Sequence, residues 1–436
     1  MHPKTPRSIP FILGSEFSER LSFFGMRSIL SLFLVNQFFN PHGIAGLTAE
    51  ANARSNAYTH AFSTLVYFTP LLGAILADWF IGKYRVIFAG VVIYTFGHLL
   101  LSVFNHSLPG FTMGLVILGF AAGCIKSCVA AFVGDQFDHG NSRLMSRGYG
   151  WFYFCVNAGG IVSIIIIPVV LQKYGGGWAF GIPGIVMAIA ALTFYTGSRL
   201  YVKVPAAGIA KANFFRVKAF WRVMAVFAFI PIFWGMWDMN QSEWVLQATK
   251  LDLDLGVFGI RVLPAQVQAA NGIFLLILIP VFNYGIYPLA EKAGIRVTPL
   301  RKIGAGMFCT ALSFVIIALL EGRVQSGFHP SVWWQLMAHV LLASSEVMVA
   351  VTCLEYAYTQ SPPAMKSTMT AIWFFTYSIG TTFTTYVNAS IASHGMFSNF
   401  TGASYFWLFV GIMLGFTLLF AVVSPFIREK SWLADE

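Results

Sequence analysis

Stretches of about twenty predominantly apolar residues follow one another almost without pause, near 10 to 36, 56 to 80, 84 to 104, 110 to 134, 148 to 172, 178 to 199, 221 to 247, 266 to 290, 300 to 320, 331 to 358, 366 to 390 and 403 to 427. A helix of that length covers the roughly 30 Å hydrocarbon core of a bilayer. Inside that core the backbone must satisfy its own hydrogen bonds, and runs this long do so as helices rather than as barrel strands. The pattern therefore predicts an all-α integral membrane protein with twelve transmembrane helices. Composition points the same way, since 57% hydrophobic against 10% charged residues, with mean hydropathy +0.71, is too apolar for a soluble domain. The 43 Phe and 12 Trp suit lipid-facing surfaces and interfacial belts.

A net charge of +10 raises the question of nucleic acid, and the placement of Lys and Arg answers it. Nineteen of them fall in alternate loops, in the span ends that border those loops and in the tails: Lys4, Arg7, Lys83, Arg85, Arg143, Arg147, Arg199, Lys203, Lys211, Arg216, Lys218, Arg222, Lys292, Arg296, Arg301, Lys302, Lys366, Arg428 and Lys430. The opposite loops carry five, Arg54, Lys173, Lys250, Arg261 and Arg323, and Arg20, Arg27 and Lys126 lie well inside spans. Under the positive-inside rule this sets both termini in the cytoplasm and makes the basic excess a topology signal, with the lipid bilayer and not nucleic acid as the surroundings. The first apolar stretch is interrupted by Glu16 and Glu19, so it is expected to stay as a helix rather than be cleaved as a signal. Five Cys (124, 128, 155, 309 and 353) sit in apolar segments without a CxxC pair and read as buried thiols, with no metal site expected.

The longest inner connection, within residues 201–219, divides the chain into halves 1–200 and 220–436 with six spans each. Two six-helix halves joined by a cytoplasmic linker are the plan of the major-facilitator fold, whose substrates are held between the halves. Internal symmetry is faint: GAILADWFIGKYR ends span two and NYGIYPLAEKAGIR ends span eight, each passing through Gly into basic residues.

Against this apolar background the polar residues inside spans stand out. At 100° per residue, Glu16, Glu19, Arg20, Phe23, Phe24 and Arg27 fall within about 140° of one helix face. Four unpaired charges at mid-bilayer would cost on the order of 10 kcal/mol, so the stripe faces other helices or a water-filled path. Glu16 and Arg20, one turn apart, can pair. Lys126 lies about 16 residues, or roughly 24 Å, into span four, which makes it a partner for Glu16 or Glu19. His60 and Tyr67 share a face of span two, where a membrane His serves either as a satisfied core group or as a titrating one. Tyr153 and Asn157 at i, i+4 can hydrogen-bond a polar solute or another helix. Trp234, Trp237, Asp238 and Gln241 lie within about 100° of arc on span seven, and Glu243 beyond them reads as interfacial. Glu346 falls roughly 22 Å into span ten, near mid-membrane.

In order along nearly the whole chain, these motifs resemble the proton-coupled oligopeptide transporters, a branch of the major-facilitator superfamily. EFSERLSFFGMR at 16 to 27 looks like the family's first-helix motif, while FVGDQFD at 132 to 138 and FYFCVNAGG at 152 to 160 resemble its fourth-to-fifth helix signature. FWGMWDMNQSEWVLQA at 233 to 248, Pro280 with Tyr287-Pro288, and EVMVAVTCLEYAYTQSPPAMKS at 346 to 367 resemble its seventh, eighth and tenth helices. The resemblance implies that Glu16, Glu19, Arg20 and Lys126 couple protons and meet the substrate carboxylate. It further implies Arg27 on the peptide carboxylate, Asn157 as a polar contact, and Glu346 at the peptide amino terminus. Trp234 and Asp238 match the family's aromatic and acidic face, and His60 matches a position typical of the animal branch, where it could share proton coupling. Departures are Phe23 and Phe24 in place of a tyrosine pair, Ser127 in place of Pro, and Asn283 where many relatives are acidic. The short linker and the short 321 to 330 connection imply a compact prokaryotic member in the inner membrane, acting as a monomer.

The physical reading runs alongside. A peptide zwitterion needs a cation on one wall and a carboxylate on the other, which Arg27 and Lys126 in the first half and Glu346 in the second supply. An aromatic wall of Phe23, Phe24, Trp234 and Trp237 would tolerate varied side chains, and Tyr67, Tyr153 and Asp238 are expected to line the same substrate site. The expected activity is proton-driven symport of di- and tripeptides by alternating access, with the proton as coupling ion and no cofactor. The alternative is a major-facilitator transporter of another small solute, such as nitrate, an amino acid or a drug. HExxH and GxSxG motifs are absent, and no enzymatic activity is expected.

Overall fold

The computed structural model describes residues 6–40, 48–137, 145–206, 218–256, 259–360 and 366–427. Helices account for most of them: α1 Ile9–Leu34, α2 Ala49–Ile75, α3 Lys83–Val103, α4 Leu108–Gly134, α5 Met145–Thr196, α6 Lys218–Phe227, α7 Ile230–Asp238, α8 Glu243–Ala248, α9 Ala269–Val281, α10 Tyr287–Lys292, α11 Pro299–Gln325, α12 Trp333–Glu346, α13 Thr352–Thr359, α14 Lys366–Ala392 and α15 Ala403–Val423. Extended pairing among the described residues is limited to two isolated bridges, Asp252 with Ser331 and Asp254 with Arg261.

Every predicted span finds a helix over its range, with two differences that have physical causes. Spans five and six run together as α5 and are broken at Gly175, whose φ of 79° is open to a residue without Cβ. Span seven is not one helix. It breaks after Phe227, turns through a single 3-10 turn at Met239–Gln241, and resumes as α8, so the angular arc expected of an unbroken helix does not extend past Asp238. Among the described residues nine helices are long and apolar enough to cross a membrane, or ten if the bent pair Phe220–Phe227 and Ile230–Ala248 is one span. The Phe154–Arg199 span among them contains two predicted crossings, and α14 is helical without being among the nine.

Short π-helical turns interrupt several spans, at Val35–Phe39, Leu76–Ile81, Phe282–Ile286 and Val347–Val351. The last follows Glu346 directly. Such turns leave backbone groups out of register and are common at functional sites.

By internal packing the chain falls into two compact units, Met1–Phe33 with Phe62–Lys211, and Leu34–Ala61 with Ala212–Glu436. The first turns of α2, His60 included, thus belong to the second unit. Within each unit close helix approach depends on glycine, as expected where lipid supplies no hydrophobic drive between helices. A Cβ at Gly159 of α5 would stand 2.6 Å from the Phe17 carbonyl oxygen of α1. In the second unit a Cβ at Gly235 of α7 would stand 2.8 Å from the Gly380 carbonyl oxygen of α14. That approach sets Asp238, three residues further on, against α14.

Candidate functional site

In the first unit the α1 stripe forms as its spacing predicts. Glu16 and Glu19 are buried, and Arg20 Nε lies 2.7 Å from Glu16 Oε1 and 3.2 Å from Glu19 Oε2. The Glu16 contact is a hydrogen bond, whereas the Glu19 oxygens accept none among the described residues. One guanidinium therefore serves two carboxylates, and Glu19 holds the less satisfied position. Arg27 is buried two turns along.

Lys126 differs from expectation. Its ammonium pairs with neither glutamate among the described residues and sits 3.6 Å from the Phe23 ring centroid and 4.8 Å from that of Tyr67. The reason is local: Arg20 occupies Glu16 from the same helix, and the two rings offer Lys126 a cation–π seat. Phe23 in turn packs edge-on against Phe24, with ring centroids 5.3 Å apart. Asn157 is partly buried on α5, and the side chain of Tyr153 lies outside the described residues.

In the second unit two carboxylate sites stand out. Glu346 Oε2 accepts hydrogen bonds from Trp237 Nε1 at 2.8 Å and Asn271 Nδ2 at 2.9 Å, and no cation pairs with it among the described residues. Two neutral donors thus hold this carboxyl group in place. Beside it, Trp234 stacks edge-on with Trp237 at 5.7 Å and tilts over Tyr377 at 4.7 Å, which builds the aromatic wall expected of span seven.

The second site gathers around His60, which is fully buried. Its Nδ1 lies 2.7 Å from Asp238 Oδ2, and its Nε2 lies 2.9 and 3.1 Å from the two oxygens of Glu243. Tyr377 donates to the other Asp238 oxygen. Glu243 also accepts from Tyr405 at 2.8 Å, from Asn388 at 3.1 Å and from Ser242. His60 thus joins α2, α7 and α8 through two carboxyl groups and is not an isolated core residue.

Glu243 was expected at the interface and is instead buried within this cluster. Tyr377, Asn388 and Tyr405 were not singled out from the sequence. A weak signal existed: Thr381, Thr384 and Asn388 recur at helical spacing on span eleven, a polar stripe that needs a partner. Nothing in the sequence names that partner. Among the described residues no group of three or more His, Cys, Asp or Glu is arranged to hold a metal ion.

The POT family model matches residues 84–217 and 207–408. Solute carrier family 15 member 2 of Mus musculus is 34% identical over 400 residues, covering 79% of this chain and 53% of that protein. Peptide transporter 3 of Caenorhabditis elegans is 33% identical over 372 residues, covering 73% and 51%. The chain spans about half the length of the curated relatives it matches. Among solved structures, the in meso crystal structure of the POT family transporter PepTSo superposes with a TM-score of 0.90 at 28% identity, covering 98% of this chain and 99% of that one. A crystal structure of a proton dependent oligopeptide (POT) family transporter does so at 0.82 and 30% identity, covering 94% and 100%. A family match over most of the chain, together with a shared fold from end to end, makes this multi-pass membrane protein a member of the POT family.

Proposed function

We propose that the chain is a proton-driven symporter of di- and tripeptides working by alternating access, a transporter and not an enzyme, with the proton as its coupling ion and no cofactor. The observation that carries this reading is Glu346: a membrane carboxylate held by Trp237 and Asn271 without a cation is prepared for the ammonium group of a substrate. Arg27 and Lys126 of the first unit answer the peptide carboxylate, with Lys126 lifted from its seat on Phe23 and Tyr67 when the anion arrives. Tyr67, Phe23, Phe24, Tyr153, Asn157 and Trp234 supply contact area and polar partners for varied side chains.

Coupling is assigned to Glu16, Glu19, Arg20 and Lys126, with His60 and Asp238 sharing the proton load. Glu19 accepts no hydrogen bond among the described residues, so protonation gives up only its 3.2 Å ion contact with Arg20, and neutralising it leaves Arg20 to Glu16. The chain is read as twelve crossings in two six-helix halves, 1–200 and 220–436 around the 201–219 linker, with both termini cytoplasmic in a prokaryotic inner membrane, and as a monomer. The deciding experiment is uptake of labelled dipeptide into proteoliposomes with and without an inward proton gradient. Accumulation above equilibrium only with the gradient is expected, and uptake that a protonophore leaves unchanged would reject proton coupling. Preference for nitrate, a free amino acid or a drug over dipeptide in competition would reject the peptide assignment.

A further inference from the structure

Next to the His60 cluster, and within the same unit, lies a cavity of about 240 Å³ whose wall mixes apolar and polar side chains. Its walls include Asn52 and Asn56 of α2, Glu321 of α11, Asn388 of α14 and Tyr405 of α15, together with Glu243 and Lys250. On the orientation proposed above, these helix ends face the outside. At ~30 Å³ per molecule the space takes several waters. Asn56 is 4% exposed, and its Oδ1 accepts no hydrogen bond among the described residues, as does the Oδ1 of Asn52, so both acceptors call for water on the cavity side.

Glu243 lines this cavity, and His60 and Asp238 do not, both being fully buried behind it. The proton inventory of the cluster follows from stereochemistry. Each short nitrogen–oxygen contact of His60 needs a hydrogen between its atoms, and a neutral imidazole carries only one N–H. Two such contacts, to Asp238 and Glu243, therefore mean two protons shared among three groups. With one proton fewer, Nε2 and the Glu243 carboxylate would face each other as two acceptors.

We propose that Glu243 is the proton-loading residue of this transporter, the carboxylate through which protons from the cavity reach His60 Nε2. This rests on the proton-coupled reading above. In the unloaded form His60 donates Nδ1–H to Asp238. A hydronium in the cavity gives a proton to a Glu243 oxygen and leaves as water. That O–H bond then breaks as the N–H bond forms at Nε2. The product is an imidazolium between two carboxylates, and the charge on the three groups goes from −2 to −1. Among the described residues the cluster is also faced by Tyr377 on Asp238, by Asn388 and Tyr405 on Glu243, and by Ser242, which donates to Glu243 and lies 3.3 Å from His60 Nε2. Across the cavity Lys250 is held by Glu321 at 3.0 Å, with Gln247 donating to the second Glu321 oxygen, so that acid has its own counter-cation.

The test is the full chain in proteoliposomes, following uptake of labelled Ala-Ala under an inward proton gradient. Glu243→Ala is expected to slow uptake by roughly a hundredfold, the lower range for losing a positioned acid–base group. Formate outside, a carboxylate small enough for the vacated space, is expected to restore much of the rate, and chloride is not. Wild-type rate and pH profile in Glu243→Ala, or a loss that formate leaves untouched, would overturn the proposal. If Glu243→Ala is not recovered folded, Glu243→Gln decides: loss of dependence on outside pH supports the relay, and a wild-type profile ends it. Glu321→Gln removes an acid from the same cavity without touching His60 and is expected to keep the wild-type pH profile. A loss matching that of Glu243 would overturn the proposal by showing that the cavity's total charge is what matters. A wild-type protein that takes up Ala-Ala independently of the gradient would instead refute the proposed function, and the relay with it.

Discussion

The α1 stripe and the His60 cluster both bury acids beside a basic side chain, yet they are built over different distances. Arg20 reaches Glu16 across four residues of one helix, whereas His60 reaches Asp238 and Glu243 across 178 and 183 residues. The stripe's ion pair exists as soon as α1 is helical. The cluster exists only once α2, α7, α8, α14 and α15 have packed. In the stripe one guanidinium is divided between two carboxylates and one of them is left short of donors. In the cluster the donors are more than sufficient, with Tyr377, Tyr405, Asn388 and Ser242 supporting what His60 joins. Local sequence can thus specify which charges meet, but full hydrogen-bond satisfaction needs partners from elsewhere in the chain.

That contrast can be broken by experiment. The largest effect is expected from Arg20→Met, which leaves Glu16 and Glu19 buried with no cation; removing one partner of a buried pair costs about 3–5 kcal/mol. Unfolding in detergent reads the loss, and adding Glu16→Gln and Glu19→Gln should recover most of it. A triple variant as unstable as Arg20→Met alone would show that the stripe depends on distant helices after all. Next comes Glu346, which belongs to neither class because no cation pairs with it among the described residues. Glu346→Gln should weaken dipeptide binding by about 1.5–3 kcal/mol, the worth of a charge-assisted hydrogen bond. Free and N-acetylated dipeptide should then compete equally. A variant that keeps the wild-type preference for the free amine would move that role to another acid.

His60→Gln should cost less stability than Arg20→Met, about 1–3 kcal/mol, because Asp238 and Glu243 each keep other donors. Its main consequence is on pH dependence. Loading adds a proton, so wild-type uptake rises as the outside is acidified, and His60→Gln should flatten that rise. A variant with the wild-type profile removes His60 from coupling. The smallest effect concerns Phe23, the seat of Lys126. Phe23→Leu deletes the ring and should cost about 0.5–2 kcal/mol of the cation–π contact, while Phe23→Tyr keeps it. Equal dipeptide affinity and stability for all three forms would show that Lys126 does not depend on this ring.

Much of the molecule was legible from its sequence for a stated reason. In a bilayer the backbone has one local way to satisfy itself, so apolar runs translate directly into helices, and a charge inside such a run marks itself as exceptional. The positions of Glu16, Arg20, Lys126, Asp238 and Glu346 within helices follow from that, as does the Glu16–Arg20 pair. What remained out of reach was everything set by which helix lies against which. Charge and similar depth match Lys126 to a glutamate, but Arg20 stands one turn from Glu16 and the Lys126 ammonium lies over two aromatic rings instead. Glu243 looked interfacial because the break at Met239–Gln241, which turns it inward, leaves no sign in hydropathy. The approach of α7 to α14 through Gly235 and Gly380, and with it the company of Tyr377 around Asp238, is decided by packing between segments more than a hundred residues apart. Sequence determined the helices and the charges they carry; only the tertiary structure decided which of those charges meet, because side-chain contacts between helices depend on rotation and depth that local periodicity does not encode.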